Sequence, residues 1–213
     1  MRGMENYVIT ISRRFGSNGH AVAGEVSRML GIPVYDRSAV EAMAHLGGES
    51  ADEEPARGRE SEAAESDRQE AGVGLLKGLF RREPKDDMPD EAQIEFEKQS
   101  EVIRLLAQEG PCIIIGRCAD SIFRDHPRAL HVFIYASEET RVKNSMKMLH
   151  TGEEEARALI RNEDRAREAY RKRFSGQGAD EIEGRHLLID SGKLGVEESA
   201  KILADAARYL FCG

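Results

Sequence analysis

The chain has 213 residues, a net charge of −8 at pH 7 and a hydrophobic content of 40%. This length allows one domain with a buried core and an inserted segment. The acidic balance argues against broad binding to nucleic acid or to anionic membranes, because both need a basic protein surface. No apolar run approaches the length of a membrane span, and the three cysteines lack the spacing of metal ligands. We therefore expect a cytoplasmic protein that binds neither nucleic acid nor a membrane.

The first predicted strand, residues 7–11 (YVITI), leads into a loop that contains Gly16 and Gly19. A helical pattern begins directly after this loop, at Ala21. A buried strand, a glycine loop and a helix in this order are typical of phosphate sites, where loop amides form a nest and the helix N-terminus adds partial positive charge. The predicted phosphate-binding residues are Gly16, Ser17, Asn18, Gly19, His20 and Ala21. A tight strand-to-helix turn without a ligand is the alternative interpretation.

This loop lacks two side chains of a complete P-loop, which reads GxxxxGK[ST] and uses lysine for the outer phosphates and a hydroxyl for magnesium. His20 stands at the lysine position, Ala21 at the hydroxyl position and Arg14 at the position of the first glycine. The missing charge has to come from another side chain, and Arg13, Arg14 and His20 are the candidates within the loop. We expect an arginine of this loop or of a later helix to replace the lysine.

The second predicted strand, 32–36 (IPVYD), ends at Asp36. In a parallel sheet the ligand crevice lies beyond the carboxyl ends of the strands, beside the phosphate loop. Asp36 is therefore predicted to hold Mg²⁺ or to accept a proton. Capping the next predicted helix, 38–46, is a second role that is compatible with the first.

Residues 47–90 interrupt the alternation of strands and helices. Residues 49–70 are rich in charged and small residues with almost nothing to bury, which predicts a mobile or disordered insertion. The apolar stretch from Val73 to Phe80 (VGLLKGLF) is a candidate for docking on the protein body or on a protein partner. A tolerated insertion with one apolar contact is favoured over a regulatory segment.

A helix predicted at 91–108 precedes the most apolar run of the chain, 111–116 (PCIIIG), which predicts a strand covered on both faces. Arg117 follows this strand at the same edge of the sheet as Asp36, where a guanidinium is suited to a substrate phosphate. A surface salt bridge is the alternative for Arg117. Asp120 has three candidate roles: holding Arg117, capping the following helix, or hydrogen bonding to a base.

Two further strands, 130–135 and 187–190, alternate with helices at 137–149, 153–173 and 196–210, the first of them with Ser137 as its predicted N-cap. This alternation predicts an α/β protein with a parallel sheet and helices on both faces.

The helix at 153–173 is rich in arginine, and Arg157, Arg161 and Arg165 repeat every four residues, which places them on one face. Acidic residues are interleaved with them, so an ordinary solvated helix is the alternative. The glycine-containing segment 174–178 follows and favours a lid that hinges there.

Taken in this order, the motifs resemble the cytidylate kinase-like family of P-loop nucleoside monophosphate kinases. The resemblance covers most of the chain outside residues 47–90. The segments that carry it are 9–37 (ITISRRFGSNGHAVAGEVSRMLGIPVYDR), 113–120 (IIIGRCAD), 132–144 (VFIYASEETRVKN) and 160–176 (IRNEDRAREAYRKRFSG).

The resemblance implies a P-loop kinase-like three-layer sandwich, with a five-stranded parallel sheet, a core of residues 1–46 and 91–213 and a helical lid at about 151–178. It implies ATP and Mg²⁺ as cofactors and transfer of the γ-phosphoryl group to a pyrimidine nucleoside monophosphate, with CMP or dCMP as the default. The predicted substrate-binding residues are Asp36, Arg37, Arg117 and Asp120, and the predicted catalytic residues are Arg14, His20, Arg161, Arg165 and Arg167. A nucleotide-binding regulatory module with little activity, and a kinase for another small hydroxylated acceptor, are the alternatives.

Overall fold

A computed structural model describes residues 6–46, 90–178 and 182–211. The predicted insertion, including the docking segment 73–80, lies outside the described residues apart from Asp90. The strands are β1 (Val8–Arg13), β2 (Val34–Tyr35), β3 (Cys112–Ile115), β4 (Ala129–Tyr135) and β5 (Leu187–Asp190). The helices are α1 (Gly19–Leu30), α2 (Arg37–Leu46), α3 (Glu91–Glu109), α4 (Ala119–Ile122), α5 (Glu138–Leu149), α6 (Glu153–Ser175) and α7 (Ser191–Phe211).

The five strands form one parallel sheet in the order β2-β3-β1-β4-β5. In the central strand, Ile9 pairs with Ile113 of β3 and with Leu130 of β4. This arrangement confirms the predicted five-stranded parallel sheet. It also brings the carboxyl ends of β1, β3 and β4 to one edge, next to the loop that enters α1.

Both faces of the sheet are covered by helices, as predicted. Ile9 and Ile113 pack with Val26 of α1 and Leu203 of α7 in one apolar core. The neighbouring β3 residue Ile114 points to the opposite face and packs with residues of α2, α3 and α4 in a second core. The two cores arise because successive side chains of a strand alternate between faces, so a continuous apolar run fills both.

Several helix boundaries follow from local signals in the sequence. Ser137 caps α5 by accepting a hydrogen bond from the amide of Thr140 (3.3 Å), as predicted. Gly31 ends α1 in the left-handed region, with φ of 68°. The sequence predicted no bounds for the short helix α4, and α7 begins earlier than expected because a turn precedes a break at Gly195 (φ 78°). Among the described residues, no helix has the length and apolar character needed to cross a membrane.

A buried histidine lies on β4, the strand between the central strand β1 and the edge strand β5. His131 of β4 is 2% exposed, its Nδ1 lies 2.8 Å from the hydroxyl of Thr10, and its ring stacks on that of His186. Burial lowers the pKa of His131, and His186 lowers it further, although the nearby carboxylate of Asp120 acts in the opposite direction. Folding therefore favours the neutral imidazole.

We expect the free energy of unfolding to fall as the pH decreases below 6.5, the ordinary pKa of histidine, because the unfolded chain then binds a proton more readily than folded His131 does. For one such group the slope is at most about 1.4 kcal/mol per pH unit. Denaturant unfolding at several pH values measures this slope, and His131→Asn should flatten it. The control is His150→Asn, because His150 is exposed and its left-handed backbone tolerates asparagine. Parallel pH profiles for wild type and His131→Asn would contradict the assignment.

Candidate functional site

Side chains of α5 and α7 hold the loop between β1 and α1 through three hydrogen bonds to its carbonyl oxygens. The carbonyl oxygen of Gly16 accepts from the amide of Asn144 (2.8 Å), and that of Ser17 accepts from the hydroxyl of Ser191 (2.6 Å). The carbonyl oxygen of Phe15 accepts from Arg141 (3.3 Å). In a trans peptide the carbonyl and the following amide point in opposite directions. The amides that follow these carbonyls are therefore turned away from α5 and α7.

The end of this loop has the backbone of an anion nest. Asn18 adopts a left-handed conformation (φ 57°, ψ 28°) directly before the first residue of α1, Gly19. Within the described ranges, no hydrogen bond reaches the amides of Asn18 and Gly19. These donors, together with the partial positive charge at the start of α1, are suited to a phosphate group.

Gly16 is required by packing as well as by conformation. Its φ is 76°, and a Cβ at this position would lie 2.8 Å from the carbonyl oxygen of Arg141 and from the hydroxyl of Ser145. Gly16 therefore allows the loop to lie directly on α5.

Asp164 of α6 binds the same loop from another side. Its Oδ1 accepts from the amide of Phe15 (2.9 Å), and its Oδ2 accepts from Arg141 (2.6 Å). Arg14 also lies 3.6 Å from Oδ2, so the guanidinium predicted to be catalytic is close to this carboxylate. Sequence reasoning missed Asp164, because it is one of many acidic residues on a charged helix.

Asp36 caps α2 and lies close to His20. Its Oδ1 accepts from the amide of Ala39 (3.0 Å) and from the hydroxyl of Ser38 (2.9 Å). Its Oδ2 lies 3.9 Å from Nε2 of His20, which is 8% exposed. The capping role proposed for Asp36 is confirmed, and its second oxygen faces the phosphate loop.

A cavity of about 480 Å³ opens at the carboxyl edge of the sheet. The ends of β1, β3 and β4 contribute to its lining, together with residues of α2, α3 and α6. Among the residues that the structure describes, seven arginines and three glutamates line it: Arg13, Arg37, Arg117, Arg167, Arg171, Arg173 and Arg185, with Glu41, Glu95 and Glu163. This excess of cations is suited to an anionic ligand.

Aromatic rings form one wall of this cavity. The rings of Phe96 and Phe174 stack with their centroids 4.5 Å apart, and the ring of Tyr170 lies 4.6 Å from that of Phe174. Burial raises the pKa of Tyr170, and Arg117 only partly opposes this effect, so the phenol stays protonated. The cavity thus combines cationic groups with a flat apolar surface.

Arg117 is fixed from three sides. It donates to Oε1 of Gln99 (3.2 Å), lies 3.4 Å from Oε1 of Glu41 and places its guanidinium carbon 4.5 Å from the centroid of the Tyr170 ring. Three helices therefore hold the side chain that follows β3. Gly116, Arg117 and Cys118 all have left-handed backbones, with φ of 75°, 53° and 53°.

Asp120 does not hold Arg117, which was one of its three candidate roles, but binds Arg171 instead. Both carboxylate oxygens of Asp120 accept from Nη1 of Arg171, at 2.8 and 2.7 Å, and both side chains are nearly buried. Asp120 also does not cap α4, because Cys118 is the N-cap. The partner comes from 51 residues away on α6, which no local pattern indicates. A contact between Asp120 and substrate stays a prediction.

Of the arginines predicted to be catalytic on α6, Arg167 is the one that lines the cavity. Arg161 and Arg165 are exposed and do not belong to its lining. The reason is helical geometry: residues two apart are about 200° apart around a helix, so the face of Arg165 differs from that of Arg167. The roles of Arg161 and Arg165 stay predictions.

A second cavity, of about 390 Å³, adjoins the first and shares Phe133 and Arg185 with it. Arg14 and Arg141 lie on one side of it, and Leu188 lines the β5 side. Arg185 stacks on the ring of Phe133, with its guanidinium carbon 3.9 Å from the ring centroid. These two side chains separate the cavities.

Residues 8–193 match the cytidylate kinase-like family, which is nearly the whole length of the chain. The chain belongs to this family. No curated protein matches it.

Solved structures agree with this placement at the level of the fold. The crystal structure of an uncharacterized protein from Eubacterium ventriosum ATCC 27560 matches with a TM-score of 0.69 and 20% identity, over 94% of this chain and 98% of that one. Shikimate kinase from Acinetobacter baumannii, in complex with shikimate, matches with a TM-score of 0.50 and 11% identity, over 95% and 93% of the two chains. Shikimate kinase from Bacteroides thetaiotaomicron matches with a TM-score of 0.50 and 12% identity, over 94% and 97%. The fold is that of P-loop kinases, and family and fold together support phosphoryl transfer.

We expect Asp164→Asn to lower the free energy of unfolding by about 2 kcal/mol, because Arg141 and Arg14 lose a partly buried counter-charge. Denaturant unfolding measures this loss. The control is Asp205→Asn, which breaks an ion pair with Arg208 whose carboxylate is 74% exposed and should cost less than about 0.5 kcal/mol. Equal losses in the two variants would show that Asp164 does not stabilise the loop.

Proposed function

We propose that the protein transfers the γ-phosphoryl group of ATP to a nucleoside monophosphate, with CMP or dCMP as the default acceptor. The observation that carries this proposal is the arginine-lined cavity beside the phosphate loop, in a chain of the cytidylate kinase-like family. The cationic side chains suit the acceptor phosphate, and the wall of Phe96, Tyr170 and Phe174 suits a planar base.

The proposed reaction needs no general base when the acceptor is a phosphate. The bond between the γ-phosphorus and the β–γ bridging oxygen breaks, and its electron pair stays on ADP. An oxygen of the acceptor phosphate forms the new bond to phosphorus. A dianionic phosphate has no proton to lose in this step, so the protein has to position the two nucleotides and stabilise charge.

The loop residues suit the triphosphate, since the amides of Asn18 and Gly19 take no hydrogen bond within the described part of the chain. The donor set for Mg²⁺ is small: in that same part, no group of three or more metal-ligating side chains occurs. Such a site suits Mg²⁺, which one carboxylate together with phosphates and waters can hold. Asp36, whose Oδ2 faces the loop, would hold the ion. When bound, Mg²⁺ offsets the negative charge of the phosphates.

The remaining side chains act on position and solvent access. Arg167 lines the cavity and donates to the carbonyl oxygen of Arg13 (3.4 Å), so α6 contacts both the loop and the proposed acceptor site. We infer that α6 acts as the lid and excludes water during transfer. Cys112 and Cys118 are buried free thiols, in keeping with a cytoplasmic enzyme.

A regulatory module that binds nucleotide without efficient transfer is the second candidate. It is favoured by the replacement of the P-loop lysine by His20 and of the hydroxyl residue by Ala21. A kinase for a small hydroxylated acceptor is the third. A hydroxyl has to lose a proton during transfer, so this reading assigns Asp36 the role of base.

Labelled ATP and Mg²⁺ with a panel of CMP, dCMP, UMP, AMP and shikimate tests these candidates. We expect transfer to CMP or dCMP with the highest kcat/KM. Transfer to shikimate alone would support the third candidate. Thermal stabilisation by ATP without transfer to any acceptor would support the regulatory module and remove the kinase.

We expect Arg117→Ala to raise KM for the acceptor by about tenfold or more and to leave KM for ATP within about threefold, because one charge-assisted phosphate contact is lost. Steady-state kinetics with each substrate varied measures the two effects. Arg104→Ala, which removes an exposed guanidinium from α3, is the control and should match wild type. An equal rise in both KM values would contradict the assignment of Arg117 to the acceptor.

A further inference from the structure

The side chain of Arg13 runs from the phosphate loop to the end of β3. A Cβ added to Gly19 would lie 2.9 Å from Cβ and 3.0 Å from Cγ of Arg13. A Cβ added to Gly116 would lie 2.6 Å from Nη1 of Arg13. Because Gly19 at the start of α1 and Gly116 after β3 have no Cβ, the side chain of Arg13 can lie along both.

This path ends between the two halves of the proposed site. Gly19 is the first residue of α1, where the outer phosphates of ATP would meet the loop. Gly116 and Arg117 line the cavity proposed for the acceptor, and Arg13 lines it with them. The guanidinium of Arg13 thus lies at the boundary that a transferred phosphoryl group would cross.

The other two candidates for the missing charge lie elsewhere. Arg14 lies 3.6 Å from the carboxylate of Asp164 and lines the second cavity instead of the first. His20 is nearly buried beside Asp36 and also does not line the arginine-rich cavity. Of the three, Arg13 alone lines that cavity, and its charge is permanent at neutral pH.

We propose that Arg13 is the catalytic cation that replaces the P-loop lysine, with its guanidinium on the γ-phosphoryl group of ATP during transfer. This inference rests on the proposed kinase function. Arg13 would offset the charge that develops on the phosphoryl oxygens while the bond to ADP breaks and the bond to the acceptor forms. This role explains the glycines at positions 19 and 116, because a side chain at either position would meet Arg13.

Arg13→Ala should lower kcat by about 100-fold or more, with KM for the acceptor changed by less than about threefold. Arg13→Lys should recover at least about tenfold of this loss, because it restores a cation in nearly the same place. Added guanidinium ion should increase the rate of Arg13→Ala and leave wild type unchanged. Arg28→Ala, which removes a guanidinium that is 65% exposed on α1, is the control. An unchanged kcat in Arg13→Ala, with an active wild type, would overturn the role of Arg13 and leave the kinase function standing.

A binding measurement reads the same contact without turnover. Arg13→Ala should weaken binding of the β,γ-imido analogue of ATP by about tenfold and binding of ADP by less than about threefold, because only the analogue carries a γ-phosphoryl group. Equal effects on the two ligands would overturn the proposal. This comparison holds even if wild type transfers phosphate to no acceptor, in which case the kinase function fails and the contact of Arg13 is still decided.

A double-mutant cycle tests where the guanidinium lies. Gly116→Ala should lower kcat by about tenfold in wild type, because its Cβ displaces Nη1 of Arg13. In Arg13→Ala the same substitution should cost less than about threefold, since no guanidinium remains to be displaced. Thermal unfolding of each variant identifies any that do not fold. Additive losses in folded variants would contradict the placement of Arg13.

Discussion

The proposed site depends on how the loop after β1 is held. The carbonyl oxygens of Phe15, Gly16 and Ser17 accept hydrogen bonds from side chains of α5 and α7. The amides that follow these carbonyls therefore point away from the two helices. Asp164 then binds the loop from α6. A phosphate nest is a backbone feature, so it survives changes of side chain provided that the carbonyls are held in this way. A loop without the P-loop lysine and hydroxyl therefore still has the backbone of the proposed phosphate site.

Charge is the second constraint on the site. Like charges in one cavity repel each other, and this repulsion is strongest where water is scarce. Asp120 offsets Arg171, and Glu41 offsets Arg37 and Arg117, so part of the positive charge is neutralised within the protein. A bound anionic ligand would offset the remaining positive charge. The same electrostatic attraction would then both bind the acceptor and hold it in position.

Local patterns in the sequence were sufficient to predict the five strands, their parallel pairing and the cap at Ser137. They also placed Arg117 at the carboxyl edge of the sheet, because a residue that directly follows a buried parallel strand emerges there. The partners of Asp120 and Asp164 could not be predicted from the sequence, since each contact joins segments far apart in the chain. Arg13 and Arg14 are adjacent in the sequence, and the structure places them at different cavities.

The turn at Gly116, Arg117 and Cys118 carries a further consequence. Two residues with side chains adopt a backbone that costs roughly 1–2 kcal/mol each, and glycine at either position would relieve that cost. If stability were the only requirement, glycine would therefore be favoured over Arg117 at this position. Under the proposed role of Arg117 in acceptor binding, the arginine is kept at a cost in stability, and a variant that no longer needs the acceptor would gain stability from glycine at this position.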